Sequence, residues 1–334
     1  MKNIPLIFTC LLIVLGWSSC TKTIDFQEAE NEQQLIINGI LTPDSTFKIM
    51  LVKSQSILES SGYPVVSGAQ VTLKEDGTEL GQAIEKNGYY TIPDFRPQAG
   101  KTYQLDVQSG SKNLTTETYI PTSAKITSVD TTTNKGQWGH KRKQFDLTFE
   151  DQPGDDFYRI LLVQELLYTM QIKPDSMVYM LSRSTQYILS EDPVFNSLYN
   201  NIDNETLDMG PENNYQIFPD LYFNNKQYNV KFEVYDSYRN NDILYQKSTV
   251  HLQKLSKDLF NFLKYLNLHN YYRDEPFSEP VPVYSNIENG TGIFAGVNDE
   301  AQVSFKEIFI PHSMDTIEVV EAPDYGYGGY YGGY

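Results

Sequence analysis

Apolar residues recur at every second position through most of this chain, a rhythm that suits strands and excludes helices. Phe47, Ile49 and Leu51 alternate with polar neighbours, as do Val71 with Leu73, and Tyr103 with Leu105 and Val107. Period two sends one set of side chains to one face of a sheet and the intervening set to the other. Turn-forming residues punctuate the pattern at Pro43-Asp44, Asp76-Gly77, Asn87-Gly88 and Gly100. Asp-Gly and Asn-Gly suit two-residue hairpins, whose central positions both need positive φ. About seven short strands in about ninety residues predict an immunoglobulin-like β-sandwich over residues 33–121.

Pro121 closes that segment, and a second β-rich domain is expected over 122–312. Its strands are expected at 144–150, 157–168, 227–235 and 243–254, with Asn224-Asn225 where a turn is needed. Residues 173–215, rich in Asn, Asp, Ser and Pro, predict a long irregular insertion. One stretch has helical period, 256–272. Ser256 offers an N-cap hydroxyl, Asp258 complements the dipole, and Leu259, Phe260, Phe262, Leu263 and Leu266 form an apolar face. Next, 275–296 reads as extended, Pro-rich chain ending in glycines, before a strand at 301–310. The Tyr/Gly-rich tail cannot build a core, so 313–334 is expected to be disordered. The fold class is therefore mainly β, with one packed α-helix.

The first nineteen residues have the layout of a signal peptide. Lys2 is the positive start, Ile4 to Gly16 is an apolar run too short for a comfortable membrane span, and Ser18 and Ser19 precede Cys20. A cysteine at the cleavage position points to a lipoprotein, with Cys20 carrying the acyl chains; the position three before it holds Trp17 where Leu is usual. The alternative is ordinary secretion with Cys20 as a free thiol. Residues 20–32 then form the lipidated cysteine and an acidic tether. Cys10 and Cys20 are the chain's two cysteines. A lipidated mature chain thus has no disulfide, no thiol nucleophile and no cysteine-bound metal. The formal charge of −17 becomes one unit more negative when Lys2 leaves, and such a surface repels nucleic acid and anionic headgroups.

Several segments in order carry a family resemblance: LIINGILTPD, VSGAQVTLKEDG, GYYTIPDF, GKTYQLDV, FEDQPGDDFYRI, FNNKQYNVKFEVYD, LSKDLFNFLKYL and YSNIENGTGIFAG. Together they resemble the Bacteroidota lipoprotein family called domain of unknown function 4249, over roughly residues 30–310. The resemblance implies an outer-membrane lipoprotein, commonly encoded beside a TonB-dependent receptor. It implies no substrate and no active site.

The residues themselves offer few chemical candidates. Asp151, Asp155 and Asp156 lie close together, but without the spacing of an EF-hand they read as a solvated acidic turn. His140, His251, His269 and His312 fit no metal-ligand spacing and read as single surface or half-buried histidines. No Gly-x-Ser-x-Gly elbow, phosphate loop or dinucleotide fingerprint occurs. No catalytic residue, metal or cofactor is therefore assigned. Exported proteins of the phylum that the resemblance implies are O-glycosylated at Asp, then Ser or Thr, then an apolar residue or Thr. Ser45, Thr131, Ser176 and Thr316 fit that rule in segments expected to be loops or termini; ordinary turn chemistry is the plainer reading. Tyr325, Tyr327, Tyr330, Tyr331 and Tyr334 could stack on a partner, or the tail could be inert.

The leading expectation is a non-enzymatic surface lipoprotein assisting a TonB-dependent receptor in ligand capture or gating. The alternatives are a surface hydrolase with a site in the second domain, and a structural subunit of an envelope assembly. Cys20→Ser is expected to move the protein from the membrane to the soluble fraction, as read by fractionation and radiolabelled palmitate. Label entering the variant as well as the wild type overturns the lipid anchor.

Overall fold

A computed structural model describes residues 33–55, 62–135, 141–173, 176–196, 211–235, 243–273, 278–308 and 319–321. Cys20, His140, His312, Thr316 and the five tail tyrosines lie outside them. In chain order the strands begin with β1 (Leu35–Leu41), β2 (Lys48–Lys53), β3 (Gln70–Glu75), β4 (Thr78–Gln82), β5 (Ile84–Lys86) and β6 (Tyr89–Thr91). They continue with β7 (Lys101–Ser109), β8 (Lys112–Ile120), β9 (Lys125–Lys135) and β10 (Lys141–Glu150). The long hairpin β11 (Phe157–Lys173) and β12 (Ser176–Gln186) precedes the single-turn helix α1 (Pro193–Asn196), β13 (Ile217–Pro219) and β14 (Gln227–Tyr235). Last come β15 (Ile243–Leu255), helix α2 (Lys257–Tyr272), β16 (Thr291–Ile308) and β17 (Val319–Glu321). The chain is mainly β, as its periodicity predicts.

Turn chemistry sets the short hairpins. Asp76 and Gly77 both take positive φ between β3 and β4, as do Asn87 and Gly88 between β5 and β6. This is the backbone that two-residue hairpins demand. The paired strands stack into a first core, with Ile37, Leu51, Leu73, Tyr103, Leu105 and Leu114 almost wholly buried. One side of this sandwich is the sheet β4-β3-β7-β8; the other belongs to a larger sheet, β17-β12-β11-β15-β16-β1-β2-β6-β5. A second core fills the space between that larger sheet and the three-stranded sheet β14-β10-β9. Its heart is aromatic: Phe149 packs on Tyr158 at 5.3 Å between ring centroids, and Phe223 on Tyr228 at 4.6 Å.

Strand β16 belongs to both halves of the larger sheet. Thr291–Gly296 pair in parallel with β1, and Val297–Ile308 pair antiparallel with β15. Phe294 points into the first core, which also takes Ile287 from the preceding segment. The alternate residues Ile293, Ala295 and Val297 point to the opposite face and pack under α2. That helix starts where the sequence predicts. The Ser256 hydroxyl accepts from the Leu259 amide at 3.2 Å and from the Gly296 amide at 3.1 Å, so the cap is also a tie to β16. Leu259, Phe260, Leu263 and Leu268 are its buried apolar side chains. The segment before β16 straps the helix: Tyr284 donates to Asp258 at 2.7 Å, and His269 Nδ1 donates to the Val281 carbonyl at 2.7 Å.

Three stretches differ from expectation. The region 173–215 contains β12, paired with β11 from Leu162↔Gln186 to Lys173↔Ser176. Its polar half, Ser182 to Gln186, reads as loop because a ladder needs backbone groups and not apolar side chains. The glycines of 290–296 read as breakers, yet β16 already begins at Thr291. Within the expected disordered tail, Val319–Glu321 pair in parallel with Tyr179–Leu181 of β12.

Glycine is needed where β16 meets its neighbours. Gly292 has φ +113°, and a Cβ there would lie 2.0 Å from the Ile37 carbonyl oxygen. At Gly296 the obstruction is the Tyr119 carbonyl oxygen, 2.4 Å away. Both obstacles are backbone and cannot swing aside. Gly292→Val is therefore expected to lower the unfolding free energy by more than about 2 kcal/mol, measured by urea titration of the full mature chain. An unchanged midpoint contradicts the tight β1–β16 contact.

Candidate functional site

The alternation that buries one face of β1, β2 and β6 also fixes what stands on the other. Ile37, Ile49 and Tyr90 enter the first core; Asn38, Ile40, Lys48, Met50 and Tyr89 face away from it. On β16, β15 and β11 this outer face is roofed by α2, through Ile293, Ala295, Leu255 and Phe157. A helix is about 10 Å across and strands lie about 4.8 Å apart, so one helix covers two or three strands. Where its cover ends a cleft of 230 Å³ remains. Its other wall is Arg159, Gln253 and Val297 from the roofed strands, with Leu259 and Leu263 from the flank of α2. Thr42 and Ser45 also line it.

The electrostatics of the cleft contrast with those of the whole chain. Among the described residues, Lys48 and Arg159 are the two charged side chains in its lining, and no carboxylate accompanies them. The Lys48 ammonium stands 5.0 Å from the centroid of the Tyr89 ring. Arg159 is held by its Nε, which donates to the Tyr215 carbonyl at 3.1 Å. A cation-lined recess with an aromatic wall and an apolar floor is suited to binding.

A second polar constellation lies at the ends of β10, β11, β13 and β15. The sequence reading of Asp151, Asp155 and Asp156 as one solvated turn holds only for Asp155. Asp151 is buried: its Oδ1 accepts from the Tyr158 hydroxyl and its Oδ2 from the Asn225 amide at 2.7 Å. Asp156 pairs with Lys254 at 2.5 Å, and Lys254 itself is only 3% exposed. Asp220 joins from β13's end, 5% exposed, its Oδ2 without a hydrogen-bond partner among the described residues. Burial is the main force pushing the Asp156 carboxyl upward, reinforced by Asp151 and opposed by Lys254. Asp220 is likewise pushed up by burial, and then by the charges of Asp151 and Asp156. Burial also raises the Tyr158 phenol, which keeps it a hydrogen-bond donor. Asp220 could not be linked to the turn from sequence, since tertiary pairing alone brings it there.

The glycosylation candidates scatter. Ser45 is exposed on the turn after β1 and lines the cleft. Thr131 and Ser176 were expected in loops; Thr131 lies within β9 and Ser176 opens β12, because both segments find ladder partners. His251 pairs with Asp299 at 2.6 Å, far from His269 in the chain and bound to a different partner. Among the described residues no group of three His, Cys, Asp or Glu could hold a metal ion, and no helix is long and apolar enough to cross a membrane.

A family model described as domain of unknown function (DUF4249) matches residues 21–302. The chain belongs to that family. No curated protein sequence matches this DUF4249 member. Among solved structures, apo β-glucuronidase 3 of Bacteroides uniformis is 10% identical, with a TM-score of 0.19. That match covers 66% of this chain and 23% of the glucuronidase chain. The collagen adhesin of S. aureus is also 10% identical, with a TM-score of 0.15, covering 80% of this chain and 95% of the adhesin chain. At such scores neither likeness extends to activity.

The acid cluster makes stability depend on pH. Asp156 and Asp220 have folded pKa values raised above the ordinary carboxylate value near 4. Their stabilising contribution is complete below that ordinary value and is lost as pH rises through the folded values. Asp220→Asn mimics the protonated acid. It is expected to raise the melting temperature more at pH 8 than at pH 4, by about 2–4 °C for each kcal/mol of relieved burial cost and repulsion. Equal shifts at both pH values, in thermal unfolding followed by circular dichroism, contradict a buried excess of carboxylates.

Proposed function

We propose that this chain is a non-enzymatic lipoprotein of the outer membrane that assists a TonB-dependent receptor in capturing or gating a ligand. The observation that carries the reading is the cleft beside α2, formed by strands from both ends of the chain and lined without a carboxylate. A glycosidase of the usual kind needs two carboxylates across its scissile bond. Their absence from this lining weighs against a hydrolytic role for the cleft. The signal-like start and Cys20 supply the anchor in this reading, and the body supplies the recognition.

Anchoring gives the proposal its energetic sense. Two proteins confined to one membrane surface meet at a high effective concentration, so even a weak interface suffices. The net charge of −17 disfavours docking on anionic headgroups and leaves a protein contact as the orienting force. The segments 173–215 and 275–296 are the proposed contact regions, together with the five tail tyrosines.

Affinity purification of the tagged, lipidated protein from its own host tests the proposal. A TonB-dependent receptor is expected among the recovered proteins, and this chain should be recovered in turn when the tag is placed on that receptor. Recovery of other intact envelope complexes without any receptor shifts the assignment to a structural subunit.

A further inference from the structure

The cleft's own chemistry narrows what it holds. Its two charged lining groups, Lys48 and Arg159, are both cationic in a chain with 43 acids against 26 Lys and Arg. Lys48 makes no ion pair with a carboxylate among the described residues; its ammonium faces the Tyr89 ring. A cation held only by a ring face is available to a ligand anion, and a charge-assisted hydrogen bond is among the stronger polar contacts. Arg159 approaches from the opposite wall, its Nε fixed on the Tyr215 carbonyl. Between them Ile40, Leu259 and Val297 contribute apolar surface, which a bare inorganic anion would leave wet.

We propose that this cleft binds a small organic monocarboxylate, its carboxylate at Lys48 and Arg159 and its apolar body or ring against Tyr89 and the flank of α2. The inference rests on the binding role proposed above and names the ligand class of that site. Size and charge both restrict the occupant. At 230 Å³ the cleft is smaller than the roughly 300–1,000 Å³ of drug-sized sites, so the ligand is of amino-acid or monosaccharide dimensions. The Lys48 ammonium balances one carboxylate, whereas the overall charge of −17 repels a polyanion during approach. Two sources share this chemistry, a peptide or amino-acid carboxylate and an acidic sugar.

Calorimetric titration of the purified, lipidated full chain in mild detergent separates them. The probes are N-acetylphenylalanine and its amide, galacturonate and galactose, and inorganic phosphate. One acid is expected to bind at least about tenfold tighter than its neutral counterpart, a difference of about 1.4 kcal/mol. Which acid it is identifies the source. Lys48→Gln is expected to weaken that acid by about tenfold and leave the neutral compound unchanged, while Lys48→Arg retains binding. Equal affinity for acid and neutral partner, phosphate binding as tightly as either acid, or no binding by any probe overturns the proposal. The matched pairs decide the question even if a Lys48 variant misfolds. Receptor recovery without carboxylate binding sinks this inference alone, and carboxylate binding without a receptor sinks only the receptor assignment.

Discussion

The parallel contact between β1 and β16 is the constraint on which the other features rest. Parallel neighbours cannot be joined by a tight turn and need a long crossover; here the crossover is nearly the whole folded chain, from β2 through α2. Ile36 meets Thr291, and Leu41 meets Gly296. Because β16 then continues alongside β15, the two halves of the large sheet become one surface. Phe294 completes the first core on one side while Ile293 and Ala295 floor the helix on the other. The approach depends on the missing side chain at Gly292, beside the Ile37 carbonyl oxygen, and Gly296 likewise lets β16 pack against the Tyr119 carbonyl oxygen of β8.

Local physics was readable from the sequence wherever it was decided locally. Ser256 caps α2, Asp76-Gly77 and Asn87-Gly88 turn their hairpins, and β14 spans the expected 227–235. Elements held by partners distant in the chain were not readable. Ser182 to Gln186 are polar and gain order only from β11; Val319–Glu321 gain it from β12. The same limit governs the sites. Asp151 and Asp156 announce an acidic turn, but nothing near them in sequence foretells Lys254 or Asp220. Lys48 and Arg159 are ordinary cations until the β1–β16 pairing sets their strands around one cleft.

The two polar constellations use charge in opposite ways. The acid cluster gathers three carboxylates, one of them paired with the buried Lys254 ammonium, beside Tyr158 and its aromatic neighbours. Charge there costs solvation, which pushes the Asp156 and Asp220 carboxyls upward. In the cleft, Lys48 lines an opening without acids among the described residues, and its ammonium faces a ring instead of a carboxylate. One site ties strand ends together and the other is open to exchange.

The β1–β16 pairing also sets an order of events during biosynthesis. A ribosome releases β1 hundreds of residues before β16, so the nascent chain must carry an unpaired strand edge through most of its synthesis. Loop closure over that span is entropically slow, and an exposed edge is a template for pairing with another copy. Until Thr291 to Gly296 dock, the first core lacks Phe294 and the cleft lacks one of its walls. The cleft is therefore completed last, and a chain cut short before β16 lacks the wall that carries Val297.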